Sequence, residues 1–173
     1  MYAAIGNGGT IWQASIAKAI VKTDGTVIKT IEPNKLGTLT TAPSTVKFLQ
    51  GALREVVVSG TGAGVFAGFP IEVSGKTGTG QVFGRNPNGT QKDDTSWFAS
   101  YAPTKNPRFA VVMMVGQGGF GASTSGVGVK AIYEAIFGVK GNKVVPGAAI
   151  YPNGKPPTTL PKISPATKPK EMP

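Results

Sequence analysis

The 173 residues contain neither cysteine nor histidine. Disulfides, thiolate nucleophiles, Cys/His zinc sites and every Ser–His triad are thereby excluded. Acidic residues are scarce too, 8 against 18 lysines and arginines, which leaves a net charge of +10. No carboxylate lies between Glu72 and Asp93, so a cation in that interval has no acidic neighbour in sequence. Asp93 and Asp94 are adjacent and point to opposite sides of an extended segment, which reads as loop solvation rather than a metal or acid–base pair. No apolar run approaches the roughly 18–20 residues of a membrane span, and no secretory leader opens the chain. Any membrane anchor is therefore expected outside these residues. Neither a metal nor a cofactor is expected.

What is present divides the chain by its glycines and prolines. Met1-Tyr2-Ala3-Ala4-Ile5 reads as the end of a helix stopped by Gly6-Asn7-Gly8-Gly9, an opening expected of a chain that starts in mid-domain. Residues 16–22 and 26–31 read as strands joined by Asp24-Gly25, a hairpin turn signal. Ser44 is placed to cap a helix that runs to about Ser59, with Val46, Leu49, Leu53 and Val56 on its apolar face. Gly60-Thr61-Gly62-Ala63-Gly64 ends it. Three strands follow, the first near residues 73–80, then 96–102 and 108–115, separated by a polar loop and by Pro103 and Pro107. The last strand is a near-continuous apolar run, Phe109 to Val115, as expected of a central buried strand. A glycine-rich connection at 116–121 leads to a closing helix over 125–137, with Val129, Ile132 and Ile136 on one face and Gly138 as its stop. The class is α+β, an antiparallel meander packed against helices.

Residues 138–173 hold six lysines, one glutamate and eight of the fourteen prolines. Such a segment buries too little apolar surface to order itself. The reading is a folded region over 1–138 and a Pro/Lys-rich tail over 139–173, extended and disordered from about residue 146. A basic tail attracts anionic polymers, but it lacks the aromatic-basic interleaving of RNA-binding strands, and nucleic acid is not an expected partner.

The stretch that carries chemistry is Val73-Ser74-Gly75-Lys76-Thr77-Gly78-Thr79-Gly80. Lys76 supplies a fixed positive charge, and Thr77 and Thr79 place two hydroxyls on one face of a strand. Gly75, Gly78 and Gly80 lack a Cβ and permit close approach of another backbone. That set suits an anionic, peptide-like ligand lying along a strand edge; an ordinary hairpin strand with a surface lysine fits the composition equally. A phosphate-binding loop does not fit, because Pro70 stands where its first glycine belongs and Gly78 and Gly80 weaken the helix that should follow. Trp97 and Phe98 read mainly as core, one of them free to line a cleft.

Lys76-Thr77-Gly78 matches the K-T-G element of penicillin-binding proteins and serine β-lactamases. Together with Tyr2-Ala3-Ala4-Ile5-Gly6-Asn7-Gly8-Gly9-Thr10, Gly60-Thr61-Gly62-Ala63 and Trp97-Phe98-Ala99-Ser100-Tyr101-Ala102-Pro103, in that order, it makes residues 1–138 resemble the C-terminal part of a penicillin-binding protein transpeptidase domain, a serine acyltransferase. The resemblance implies a peptidoglycan D,D-transpeptidase on the extracytoplasmic face of the bacterial membrane, with stem peptides and β-lactams as ligands. It implies that Lys76 helps bind the substrate carboxylate and sustains the positive field at the nucleophile, that Thr77 and Thr79 hold the same carboxylate, that the Thr79 N–H is an oxyanion donor, and that Gly78 lets the acyl group pass.

The family also needs S-x-x-K and S-x-N ahead of K-T-G. Ser15-Ile16-Ala17-Lys18 and Ser44-Thr45-Val46-Lys47 match the first by spacing, but Ser15 opens a hairpin strand, Ser44 is a helix cap, and no S-x-N follows either. The nucleophile is missing, the chain alone is expected to be inactive, and its partner is the absent N-terminal part of the domain. Two other readings stand beside this one: a non-catalytic binding module whose basic tail takes anionic polymers, and a fragment of a serine β-lactamase.

Overall fold

A computed structural model of the chain describes residues 1–151. Among the described residues the chain divides into two units, one made of Trp12–Leu36, the other of Met1–Ile11 and residues 37–151.

In the smaller unit β2 (Ala19–Val21) and β3 (Val27–Thr30) form the antiparallel hairpin expected around Asp24-Gly25. The Asp24 carboxylate accepts the Thr26 N–H at 2.8 Å. Gly25 takes φ 89°, the left-handed geometry that only glycine adopts without cost. A short ladder pairs β1 (Thr10–Trp12) with β4 (Lys35–Thr38).

The larger unit is built on a three-stranded antiparallel sheet in the order β5 (Ser74–Gly80), β6 (Thr95–Ala102), β7 (Phe109–Val115). The register pairs Lys76 with Ala99 and Ala99 with Val112, and Thr77 with Phe98 and Phe98 with Met113. Because side chains alternate, the sheet has two distinct faces. One carries Thr77, Thr79, Phe98, Ser100, Val111 and Met113, and it is covered except at Thr79, which stays exposed. Phe98, Val129 and Tyr133 lose all solvent exposure there, packed with Val57, Phe66, Ile136 and Phe137. The other carries Lys76, Trp97, Tyr101, Val112 and Met114. Helix α1 (Tyr2–Gly6) lies over Tyr101 at one end, while Trp97, Val112 and Met114 stay 41–56% exposed.

Helix α2 spans Pro43–Val58. Pro43 takes the first helical position, where its fixed φ fits and its missing N–H costs nothing. Ser44 is therefore not the cap; it sits one residue inside, and Ala42 holds the N-cap position with no side-chain bond. The buried residues are Val46 and Val57, while Leu49 is exposed. Steps of +3, +7, +10 and +4, +7, +11 are both helical ridges, and the contact with β5, fixed by the 3.1 Å bond from Arg54 Nη1 to the Val73 carbonyl, selects the second. Short helix α3 (Ala63–Phe66) places Phe66 against Phe98, ring centroids 5.6 Å apart.

The closing helix follows the same rule. A π-turn at Ala122–Gly126 precedes α4 (Val127–Phe137), and Gly138 ends it at φ 68°. Val129, Tyr133 and Ile136 face inward, whereas Ile132, expected on that face, is 41% exposed. Tyr133 takes its place because its hydroxyl finds the Ser100 hydroxyl at 3.0 Å, and Ser100 donates to the Val111 carbonyl at 3.0 Å. A buried tyrosine needs such a partner.

Two further expectations change. Among the described residues strand β7 lies at the sheet edge with β6 in the middle, and its residues alternate between partly buried and exposed. Its continuous apolar run therefore does not report its position among the described residues. The tail also begins later than residue 139. β8 (Val139–Lys140) and β9 (Lys143–Val144) pair, Val139 is buried, and Ile150 N–H bonds the Ala135 carbonyl at 3.0 Å. Tyr151 stacks on Phe109 at 5.6 Å. A few apolar anchors among the lysines and prolines suffice to hold residues 139–151. The rest of the expected tail, 152–173, lies outside the described residues.

Two predictions follow from the packing. A Cβ on Gly75 would stand 2.8 Å from the Ala99 carbonyl oxygen and from Phe98, whereas one on Gly51, within α2, would meet nothing within 4 Å. Gly75→Ala should lower stability by about 1–3 kcal/mol and Gly51→Ala raise it by about 1 kcal/mol, read as opposite shifts of the urea midpoint. Burial raises the Tyr133 phenol to about 12, against a smaller opposing effect of the Ser100 bond. A raised folded value means that the fold favours the protonated ring. That stabilisation is complete below the ordinary value of about 10 and is lost as pH rises toward 12. Between pH 10 and 12, Tyr133→Phe should lose less stability than the parent chain.

Candidate functional site

Strand β5 is an edge strand: β6 pairs with one side, and among the described residues no strand pairs with the other. Its outer side carries the four residues singled out in sequence. Lys76 is exposed, and its ammonium group donates to the Thr77 carbonyl at 3.1 Å. No acidic partner faces it, since the ion pair recorded among the described residues joins Arg54 to Glu72 at 4.0 Å. The lysine is a fixed cation free to meet an anion.

Thr77 and Thr79 share the face opposite Lys76, as the period of two requires. Thr77 Oγ1 lies 2.7 Å from Thr61 Oγ1. The loop after α2 thus fixes the Thr77 hydroxyl, a contact that sequence pattern gave no means of pairing, although Thr61 stood in a motif already noticed. Thr79 Oγ1 accepts the Gly121 N–H at 3.4 Å and is otherwise exposed. The cation and the two hydroxyls therefore leave from opposite faces and share only the strand's outer edge. A ligand that engages all three must lie along that edge.

The glycines have reasons inside the molecule. Gly75 is obliged by Phe98, Ser100 and the Ala99 carbonyl, not by a ligand. A Cβ on Gly78 would be 3.1 Å from Trp97 Cβ. Gly121 was not singled out from the sequence, yet a Cβ there would stand 2.5 Å from the Gly78 carbonyl oxygen and 2.7 Å from that of Trp97. The 116–121 connection thus lies directly against β5. It is held there by the bond from Gly119 N–H to the Asp94 carbonyl at 2.9 Å and by Thr124 Oγ1 to the Gly118 carbonyl at 2.7 Å. Ser96 fixes the same corner, accepting the Ser125 N–H at 3.1 Å. Asp94 accepts the Val82 N–H at 3.3 Å and closes the β5–β6 loop, while Asp93 is exposed.

Ser44 is not at this edge, and Ser15 is not part of the larger unit. Ser15 belongs to the smaller unit, is exposed, and donates to the Ala17 carbonyl at 2.9 Å. Ser44 lies in the first turn of α2. That helix advances alongside β5, Arg54 reaching Val73 and Thr61 reaching Thr77. Ser44 stands ten residues before Arg54, about 15 Å back along the axis, away from Lys76.

The family model described as the penicillin-binding protein transpeptidase domain matches residues 1–138. The peptidoglycan D,D-transpeptidase MrdA of Haemophilus influenzae is 37% identical over 75 residues, which is 39% of this chain and 12% of that protein. Among solved structures, PBP2 of Pseudomonas aeruginosa superposes with a TM-score of 0.62 at 26% identity, over 84% of this chain and 30% of that one. Penicillin-binding protein 2B of Streptococcus pneumoniae superposes with a TM-score of 0.67 at 20% identity, a likeness of fold, over 80% of this chain and 24% of that one. The chain thus spans less than a third of the length of each of these relatives. Matched by the family model over residues 1–138, the chain belongs to the penicillin-binding protein transpeptidase domain family.

Proposed function

We propose that this chain is the K-T-G-bearing part of a peptidoglycan D,D-transpeptidase that binds penicillin and cross-links stem peptides by serine acyl transfer. The observation that carries the reading is the free outer edge of β5, with an unpaired Lys76 and the Thr77 and Thr79 hydroxyls beside it. A peptide in extended form adds to such an edge through main-chain hydrogen bonds, and its terminal carboxylate meets the Lys76 cation and the threonine hydroxyls.

In that reaction a serine Oγ bonds to the carbonyl carbon of the penultimate D-Ala. The bond to the terminal D-Ala nitrogen breaks, and that amine leaves carrying the proton the serine gave up. The amine of a second stem peptide then attacks the ester, an amide forms as the ester C–O bond breaks, and the proton that this amine loses goes to the serine Oγ. Lys76 lowers the energy of the negative charge that develops at each tetrahedral stage, and the Thr79 N–H donates to it. Gly121, seated on Gly78, keeps that part of β5 in place. The serine comes from a segment outside these residues.

Two features support a missing partner segment. The side of the sheet that bears Lys76 exposes Trp97, Val112 and Met114, which form an apolar floor next to the lysine. The outer edge of β7 pairs with no strand among the described residues, although its seven residues carry no charge and no proline. Edge strands left without such protection are ordinarily covered or paired. No helix of the described residues is long and apolar enough to cross a membrane, and an anchor on the extracytoplasmic side belongs to the same outside segment.

The purified chain mixed with benzylpenicillin should show no covalent mass increase; an adduct on Ser15 or Ser44 would overturn the missing nucleophile. Fused behind the S-x-x-K-bearing part of the Haemophilus MrdA transpeptidase domain, the chain should acylate. There Lys76→Ala should slow acylation on the order of 10²-fold, the scale of a lost electrostatic donor. Acylation at the parent rate without Lys76 would remove the lysine from the site.

A further inference from the structure

The two threonine hydroxyls of β5 are each met from inside the molecule by one group. Thr79 Oγ1 accepts the Gly121 N–H at 3.4 Å. A backbone N–H only donates, so the Thr79 proton is left for a partner outside the fold. Thr77 Oγ1 lies 2.7 Å from Thr61 Oγ1, and there either oxygen can be the donor. Among the described residues the Thr61 hydroxyl has no other partner.

The backbone on both sides of Thr61 holds it in place. Gly60 N–H bonds the Glu55 carbonyl at 3.0 Å, and Gly62 N–H bonds the Val56 carbonyl at 2.9 Å. The loop lies tight against the last turn of α2. A Cβ on Gly60 would stand 2.9 Å from Val56 Cα, and one on Gly62 would stand 3.2 Å from the Val56 carbonyl oxygen. Thr61 itself is exposed. The loop is anchored through its glycines, and the Thr61 side chain is left to meet Thr77.

Counting protons gives the direction of that bond when an anion is bound. A hydroxyl has one proton and two lone pairs, and a carboxylate only accepts. If Thr77 gives its proton to Thr61, it has none for a carboxylate at the outer edge. If Thr61 gives its proton to Thr77, then Thr77 and Thr79 both accept from inside and both donate outward, beside the Lys76 ammonium. A hydroxyl that accepts a hydrogen bond is also the stronger donor.

We infer that Thr61 is a positioning residue for carboxylate recognition: its O–H donates to Thr77 Oγ1 and turns the Thr77 proton toward the outer edge of β5. The inference rests on the reading of that edge as a carboxylate site. It adds a residue that acts through Thr77 without touching the ligand.

The probe is N-acetyl-D-alanyl-D-alanine, with its C-terminal amide as the uncharged counterpart. Each is titrated into the full 173-residue chain while the amide chemical shifts of residues 76–80 are followed. The carboxylate should bind more tightly than the amide. Thr61→Val keeps the shape and removes the proton, and it should weaken carboxylate binding about fivefold, the scale of one hydrogen bond. It should weaken the amide less, because an amide NH2 can donate to Thr77 instead. The urea midpoint should stay unchanged, and Thr61→Ser should restore most of the carboxylate binding. In a Thr77→Val chain, Thr61→Val should cause no further loss. Equal losses for carboxylate and amide, no recovery with serine, a further loss in the Thr77→Val chain, or parent-like binding by Thr61→Val would overturn the role of Thr61 and leave the Lys76 edge standing. No saturable shift at residues 76–80 in the parent chain would remove the edge reading and this inference together.

Discussion

The ring of Phe98 sits among three glycines, and the larger unit depends on that seat. Gly75 flanks it from the neighbouring strand, Gly62 from the loop after α2, and Gly126 from the turn before α4; a Cβ at any of the three would lie within 3.5 Å of the ring. Fully buried, the ring is the point where the strand, the loop and the closing helix converge. Close packing makes such a joint intolerant of a single added methyl group. The same joint brings the Thr61 loop against Thr77 and the 116–126 connection against Gly78, so the geometry of the outer edge of β5 is a by-product of core packing. Glycine there is a condition for the sheet first and for a ligand second.

Much of this was legible in the sequence, and what was not has a common cause. The hairpin at Asp24-Gly25, the three-strand meander and the stop at Gly138 rest on local rules, and local rules need no partner. The helix faces were off by one position at Leu49 and Ile132, because two adjacent ridges carry apolar residues and only the tertiary neighbour chooses between them. Arg54 on Val73 decided one, and Tyr133 on Ser100 the other. The apolar run of β7 read as that of a central strand, whereas among the described residues β7 has a neighbour on one side alone. Residues 139–151 read as the start of the tail, disordered from about residue 146, because lysine and proline outweigh Val139 and Tyr151 in a composition, though not in a contact.

At the candidate site the strand and its four residues were readable from spacing and from the resemblance. Their mutual geometry was not. Lys76 and the two threonines leave opposite faces of β5, and the residues that hold the threonines, Thr61 and Gly121, lie 16 and 42 positions away in the chain. Nothing local links them; the fold does. A motif gives the cast of residues, while the direction from which a ligand approaches is set by the edge they share.

The unguarded edge of β7 also governs how long the free chain can persist. A strand edge of uncharged residues pairs with whatever backbone it meets, and pairing with another copy is second order in concentration. Capture by a tethered segment is first order and independent of dilution, as for any linked pair of interacting parts. At low concentration the tethered route wins, and at high concentration self-pairing does. An edge of this kind therefore sets a ceiling on the amount of chain that stays unassociated, with the repulsion of a +10 chain as the main force raising that ceiling.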